Sequence, residues 1–92
     1  MEAVLTDDQI RDNVATNVRR LLRLRGWSQD QLAAAIGEEQ SKISRICNAR
    51  NMIAGGTLFR IAEALDASAD RILAPPPEAV LATKSGKSRL SA

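Results

Sequence analysis

Apolar residues recur at helical spacing in the first third of the chain. Between residues 7 and 25 they follow one another at steps of four, four, three and one: Ile10, Val14, Val18, Leu21 and Leu22. This spacing places them on one face of a helix. Thr6 with Gln9 forms a capping-box pattern before the stretch, and Gly26 follows it as a residue typical of helix C-termini. We therefore predict a first helix over residues 7–25.

A pair of short helices is predicted next, on either side of a glycine. Ser28 and Gln31 repeat the capping-box pattern, so a second helix is expected over residues 29–36. Gly37 ends it, because the tight turn that follows needs a positive φ, which glycine adopts without steric cost. A third helix is expected to start at Glu39 or Gln40 and to bury two isoleucines.

The rest of the chain predicts two more helices and then a tail. Residues 48–54 have the composition of a loop, and apolar residues at helical spacing predict a fourth helix over residues 56–65. Ser68 is expected to cap a short fifth helix that ends at Leu73. Three consecutive prolines follow, and they impose an extended stretch. We predict an all-α, five-helix domain over residues 1–74 and a flexible C-terminal tail over residues 75–92.

Composition narrows the classes of function. A chain of 92 residues is long enough for one small domain. It has no histidine and one cysteine, so we expect no structural metal and no His-assisted nucleophile. The single Cys47 cannot form an internal disulfide, which suits the cytoplasm, and the sequence shows neither a secretory signal nor a membrane-spanning run. An enzyme is the weakest hypothesis, and no cofactor is expected.

The outer face of the predicted third helix is polar. Residues 1–74 hold ten basic and ten acidic side chains, so overall charge does not point to a partner. If the isoleucines of the third helix face inward, four residues remain on its outer face: Gln40, Ser41, Ser44 and Arg45. Hydrogen-bonding side chains and one forked cation on a helix suit base edges in a DNA major groove.

Two segments resemble the lambda repressor/Cro-like helix-turn-helix family. Residues 27–37 read WSQDQLAAAIG, similar to the start of the family's helix-turn-helix. Residues 61–66 read IAEALD and are followed by Ser68 and Asp70, similar to the junction between the family's fourth and fifth helices. The resemblance covers residues 14–73, and it implies a five-helix DNA-binding domain whose third helix contacts bases.

The resemblance also implies individual roles. Four residues fall on family positions that reach base edges: Glu39, Gln40, Ser41 and Arg45. Gln29 matches a residue that contacts phosphate and braces the recognition helix, and Asn48 matches a phosphate-binding position. Lys42 and Ser44 lie close enough to contact phosphate or bases, and Arg50 is expected to bind phosphate on its charge alone. Two interpretations of Glu39 stay open. Its carboxylate recognises a base, or its negative charge only interacts favourably with the dipole of the third helix.

The sequence departs from the family pattern at three places. Cys47, Asn48 and Ala49 stand where the family often has Glu-Asn-Gly, so a glycine is missing from the loop. Leu22 stands where many relatives carry arginine. The stretch before the fourth helix lacks the proline that usually precedes it.

These observations predict a sequence-specific transcriptional regulator. We expect a cytoplasmic repressor that binds double-stranded DNA as a homodimer, because one helix reads only a few base pairs. An alternative is a protein-interaction module, such as the antitoxin of a toxin–antitoxin pair, whose tail from residue 75 folds onto a partner protein.

Overall fold

Five helices form the protein in the computed structural model, which describes residues 4–77. They are α1 (Asp7–Arg25), α2 (Gln29–Ile36), α3 (Gln40–Cys47), α4 (Gly55–Ala64) and α5 (Ala69–Leu73), and residues 4–77 contain no strand. The all-α, five-helix fold is confirmed. The bounds of α1 and α2 agree with the prediction, whereas α4 begins and ends one residue earlier than predicted. The predicted tail lies mostly outside the described residues.

Side-chain caps fix where α1 and α2 begin. Thr6 Oγ1 accepts from the backbone N–H of Gln9 at 3.1 Å, and Gln9 Oε1 accepts from the N–H of Thr6 at 2.8 Å. Ser28 and Gln31 make the same reciprocal pair at 3.1 and 2.7 Å. Each pair satisfies two backbone donors that have no partner within the helix, so both starts are set locally.

Neither α3 nor α4 has a side-chain cap at its start. Glu39 precedes α3 and Ala54 precedes α4, both with extended backbone and without a cap hydrogen bond from the side chain. Alanine has no side-chain acceptor to mark a boundary. The start of α4 is therefore set by packing, which explains the one-residue difference from the prediction.

The helices enclose one aliphatic core. α1 packs against α3 and α5, α2 packs against α3 and α4, and α4 contacts α5. The largest buried apolar side chains come from all five helices and include Val18, Leu32, Ile43, Ile46, Ile61 and Ile72. Ile36, at the end of α2, is only partly buried and packs against the edge of this core. Cys47 is completely buried, because the C-terminal turn of α3 lies in the core.

Two asparagines of α1 bind the C-terminal end of α5. Asn17 is completely buried, and its Nδ2 lies within hydrogen-bond distance of three carbonyl oxygens, those of Arg71 (3.0 Å), Ile72 (2.8 Å) and Ala74 (2.8 Å). Asn13 Nδ2 donates to the carbonyl of Leu73 at 2.9 Å. Carbonyls at a helix end have no partner within the helix, so these amides satisfy one buried acceptor, that of Ile72, and three partly buried ones.

Two further observations concern membranes and metals. Among the helices described, none combines the length and the apolar character needed to cross a bilayer. Within residues 4–77, no group of acidic or cysteine side chains has the arrangement of a metal site.

Candidate nucleic-acid interface

α2, the turn at Gly37 and α3 form a helix-turn-helix. Gly37 has a φ of 71°, as the sequence predicts, and the N–H of Glu38 donates to the carbonyl of Ala33 at 2.9 Å. Ala33 is buried, and α2 packs against α3. The inward face of α3 is apolar and buried, through Ile43 and Ile46. Packing therefore holds α3 along its apolar side and leaves the opposite side facing away from the core.

The opposite face of α3 and the residues after it carry the predicted contact residues. Six of the nine are exposed: Glu39, Gln40, Ser41, Arg45, Asn48 and Arg50. The other three, Gln29, Lys42 and Ser44, are partly exposed. The structure thus gathers the set around one short helix and its ends, which is the size of element that a DNA major groove admits.

Gln29 contacts the first turn of α3. Gln40 Nε2 donates to Gln29 Oε1 at 3.3 Å, which links the start of α2 to the start of α3. The link places two side-chain amides next to each other on the surface. One amide is predicted to contact phosphate and the other a base, so their mutual hydrogen bond fixes the spacing of the two groups.

Lys42 is held by a neighbouring carboxylate. Its Nζ lies 3.3 Å from Glu38 Oε2, and Arg60 Nη2 of α4 lies 3.2 Å from the same oxygen. The hydrogen bond from Lys42, with the positive charges of Lys42 and Arg60, lowers the pKa of Glu38 despite an opposing effect of burial. Glu38 therefore neutralises part of the positive charge beside α3. The i,i+4 spacing of Glu38 and Lys42 could have shown their pairing, but nothing local indicated Arg60.

The C-terminal end of α3 is tied to α1. Arg19 Nη1 donates to the carbonyl oxygen of Cys47 at 2.9 Å, and a cation at this end of a helix is favoured by the helix dipole. Burial raises the pKa of the Cys47 thiol, and the positive charge of Arg19 only partly opposes the effect. Cys47 thus acts as a small apolar core residue without nucleophilic character.

The loop after α3 contains two further features, at Ala49 and at Asn51. Ala49 has a φ of 60°, in the left-handed region that glycine prefers. Asn51 lies beside Arg45, with one end of its side-chain amide 3.0 Å from Arg45 Nε and the other end 3.1 Å from the carbonyl oxygen of Arg50; the donor and acceptor around it assign the first end as oxygen and the second as nitrogen. The missing family glycine pointed to the first feature, whereas no pattern pointed to Asn51.

Comparisons with known proteins agree with this geometry. A family model described as helix-turn-helix matches residues 18–72. A relative from Neisseria meningitidis serogroup B, called a Neisseria hypothetical transcription factor, is 34% identical over 91 residues, which cover 97% of this chain and 86% of the relative. A crystal structure of a hypothetical transcription factor from Neisseria superposes with a TM-score of 0.72 at 33% identity, over 87% of this chain and 93% of that one.

Proposed function

The chain belongs to the lambda repressor/Cro-like helix-turn-helix family of DNA-binding regulators, and we propose that it is a transcriptional repressor that reads operator DNA with α3. One observation carries this proposal. α3 is buried along one side and presents exposed hydrogen-bonding side chains along the other, next to a brace from Gln29. The transcription-factor names of its Neisseria relatives support the same reading.

The contact residues divide into two groups by what they are expected to touch. Gln40, Ser41 and Arg45 lie on the exposed side of α3 and are proposed to reach base edges. Gln29, Asn48 and Arg50 lie at the two ends of the helix-turn-helix and are proposed to contact the phosphate backbones. Ser44 lies between the groups, within 3.4 Å of the Asn48 amide.

Two acidic residues and Lys42 modify this picture. Glu39 caps α3 without a side-chain hydrogen bond, so its carboxylate is available to accept from a cytosine amino group as well as to complement the dipole. Lys42 and Arg60 both pair with the carboxylate of Glu38. Lys42 can therefore contact phosphate only if it leaves Glu38 or binds Glu38 and phosphate at the same time. Lys42 is therefore proposed as a weaker phosphate contact than Asn48.

The protein is further proposed to act as a homodimer in the cytoplasm, on the chromosome. Two copies of α3 would enter successive major grooves about 34 Å apart, which sets the spacing of operator half-sites. A domain over residues 1–74 and a tail over residues 75–92 stay a prediction, as does a protein partner for the tail.

Selection from random DNA, followed by gel-shift titration, tests the proposed function. Enrichment of a symmetric site is expected, and Arg45→Ala should cost about 1–3 kcal/mol and relax preference at one base pair. Asn48→Ala should weaken binding to every sequence alike. Arg11→Ala is the control of matched charge, because Arg11 pairs with Asp8 at the far end of α1 and should leave binding nearly unchanged. Failure to enrich any sequence would overturn the proposal.

A further inference from the structure

We propose that Asn51 is a positioning residue that holds the Arg45 guanidinium in the orientation that reads a guanine. This inference rests on the DNA-binding function proposed above, and it adds a residue that lies outside α3 and is not itself expected to touch a base. Asn51 lies in the loop between α3 and α4 and is partly buried.

The hydrogen bonds of Asn51 define its orientation. An asparagine amide has one acceptor end and one donor end, and the two are assigned from the groups that surround them. Only one orientation places Oδ1 against a donor, Arg45 Nε at 3.0 Å, and Nδ2 against an acceptor, the carbonyl oxygen of Arg50 at 3.1 Å. The amide thus bridges the side chain of Arg45 and the backbone of the loop.

The loop that carries Asn51 is itself attached to α3. The N–H of Arg50 donates to the carbonyl oxygen of Arg45 at 2.8 Å, and the N–H of Ala49 donates to the carbonyl oxygen of Ile46 at 3.1 Å. These bonds fold the chain back over the last turn of the helix. Asn51 is therefore held close to the backbone of the residue whose side chain it contacts.

The contact determines which nitrogens of Arg45 are available. Arginine can present a guanine with either Nε and one Nη or both Nη groups, and each pair matches the O6 and N7 acceptors. With Nε bound to Asn51, only the two Nη groups are left to bind the guanine. Among residues 4–77, no protein acceptor takes a hydrogen bond from Nη1 or Nη2 of the exposed Arg45 side chain, so both remain available to a base.

The energetic consequence is pre-organisation. An unrestrained arginine side chain samples many rotamers and loses this conformational entropy when it binds DNA. An arginine that is already held at Nε has lost part of this entropy in the free protein, so binding costs less. The benefit appears only where Arg45 makes its forked contact. Asn51 should therefore affect discrimination at one base pair and leave binding to other sequences nearly unchanged.

The experiment is a double-mutant cycle on the selected operator duplex and on three duplexes that replace the base pair read by Arg45. Asn51→Ala should weaken binding to the operator roughly three- to tenfold, the effect of freeing one long side chain, and change binding to the three substituted duplexes little. In an Arg45→Ala background, Asn51→Ala should have no further effect. Asn51→Asp keeps an acceptor for Nε. It should therefore keep the ratio of the affinities for the operator and for the substituted duplexes, although its negative charge lowers every affinity.

The outcomes separate this inference from the proposed function. If the selection enriches no sequence, or if Arg45→Ala leaves the base preference intact, the proposed reading by Arg45 fails and the inference fails with it. If Arg45→Ala abolishes the preference while Asn51→Ala leaves it intact, or weakens all four duplexes equally, only the inference is overturned.

A measurement on the free protein completes the test. The Nε–H resonance of Arg45 should exchange slowly with water in the wild type and rapidly in Asn51→Ala. The thermal midpoint of Asn51→Ala shows that the variant is folded. Equal exchange rates in the two folded proteins would also overturn the inference.

Discussion

Replacing Ala49 with glycine should stabilise the protein. Ala49 has a φ of 60° in the loop after α3, at the position where the family often carries glycine. Its Cβ is strained there, because a left-handed backbone brings this atom against the following carbonyl oxygen. The strain persists because the N–H groups of Ala49 and Arg50 are both bound to carbonyls of α3.

The expected gain follows from two opposing terms. A non-glycine residue in the left-handed region costs about 1–2 kcal/mol, which Ala49→Gly removes. Glycine gives the unfolded chain more freedom, which costs about 0.4–1 kcal/mol. The net increase in the free energy of unfolding should be about 0.5–1 kcal/mol, or roughly 2–8 °C in the melting temperature of a domain this size.

Thermal and urea unfolding followed by circular dichroism measure this gain, and Ala34→Gly provides the matched control. Ala34 is exposed within α2, where the same chemical change should destabilise the protein by about 1 kcal/mol. The two variants should thus move the midpoint in opposite directions. A decrease for Ala49→Gly as large as that for Ala34→Gly would show that the left-handed backbone at residue 49 carries no strain, and no change would contradict the expected gain.

Three further predictions concern buried and paired groups. Asn17→Ala should lower the free energy of unfolding by about 1–3 kcal/mol, because the buried carbonyl of Ile72 loses its donor. Asn13→Ala removes one partly buried hydrogen bond and should cost less; urea titration measures both effects. Glu38 has a pKa below its ordinary value of 4.5, so its stabilisation is present above that pH and is lost as the pH falls through the lowered pKa. Unfolding measured across this acid range should therefore vary less with pH in Glu38→Gln than in the wild type, and identical profiles would contradict the pairing with Lys42. Cys47 should react with a thiol reagent only as fast as the protein unfolds, and rapid labelling of the native protein would refute its burial.

The helix boundaries could be predicted where local chemistry sets them. Thr6 and Ser28 cap their helices through side chains that the sequence displays three residues before a matching glutamine. Gly37 marks the turn, because few other residues adopt its backbone conformation. The start of α4 was missed by one residue because Ala54 offers no cap and packing decides the boundary.

Contacts between residues far apart in the chain could not be predicted. Asn13 and Asn17 interrupt the apolar face of α1, and their acceptors lie 54 to 60 residues later. Arg60 reaches Glu38 from 22 residues away, so the pairing depends on how α4 packs against the helix-turn-helix. The candidate contact residues were identified because α3 has a clear apolar side, whereas the groups that support them, such as Asn51, depend on the folded loop.

Leu22 and Cys47 both depart from the family pattern, and the structure gives one reason for both departures. Both side chains lie in the same core, with exposures of 4% and 0%, so a charge at either position alone would be buried without a partner. Apolar residues at both positions avoid that cost, and replacing buried charges by apolar groups is often neutral or stabilising. The charge that supports α3 comes instead from Arg19, which binds the Cys47 carbonyl from the partly solvated surface of α1. α1 therefore positions the proposed recognition helix by apolar packing and one hydrogen bond at its C-terminus, and a buried ion pair is not required.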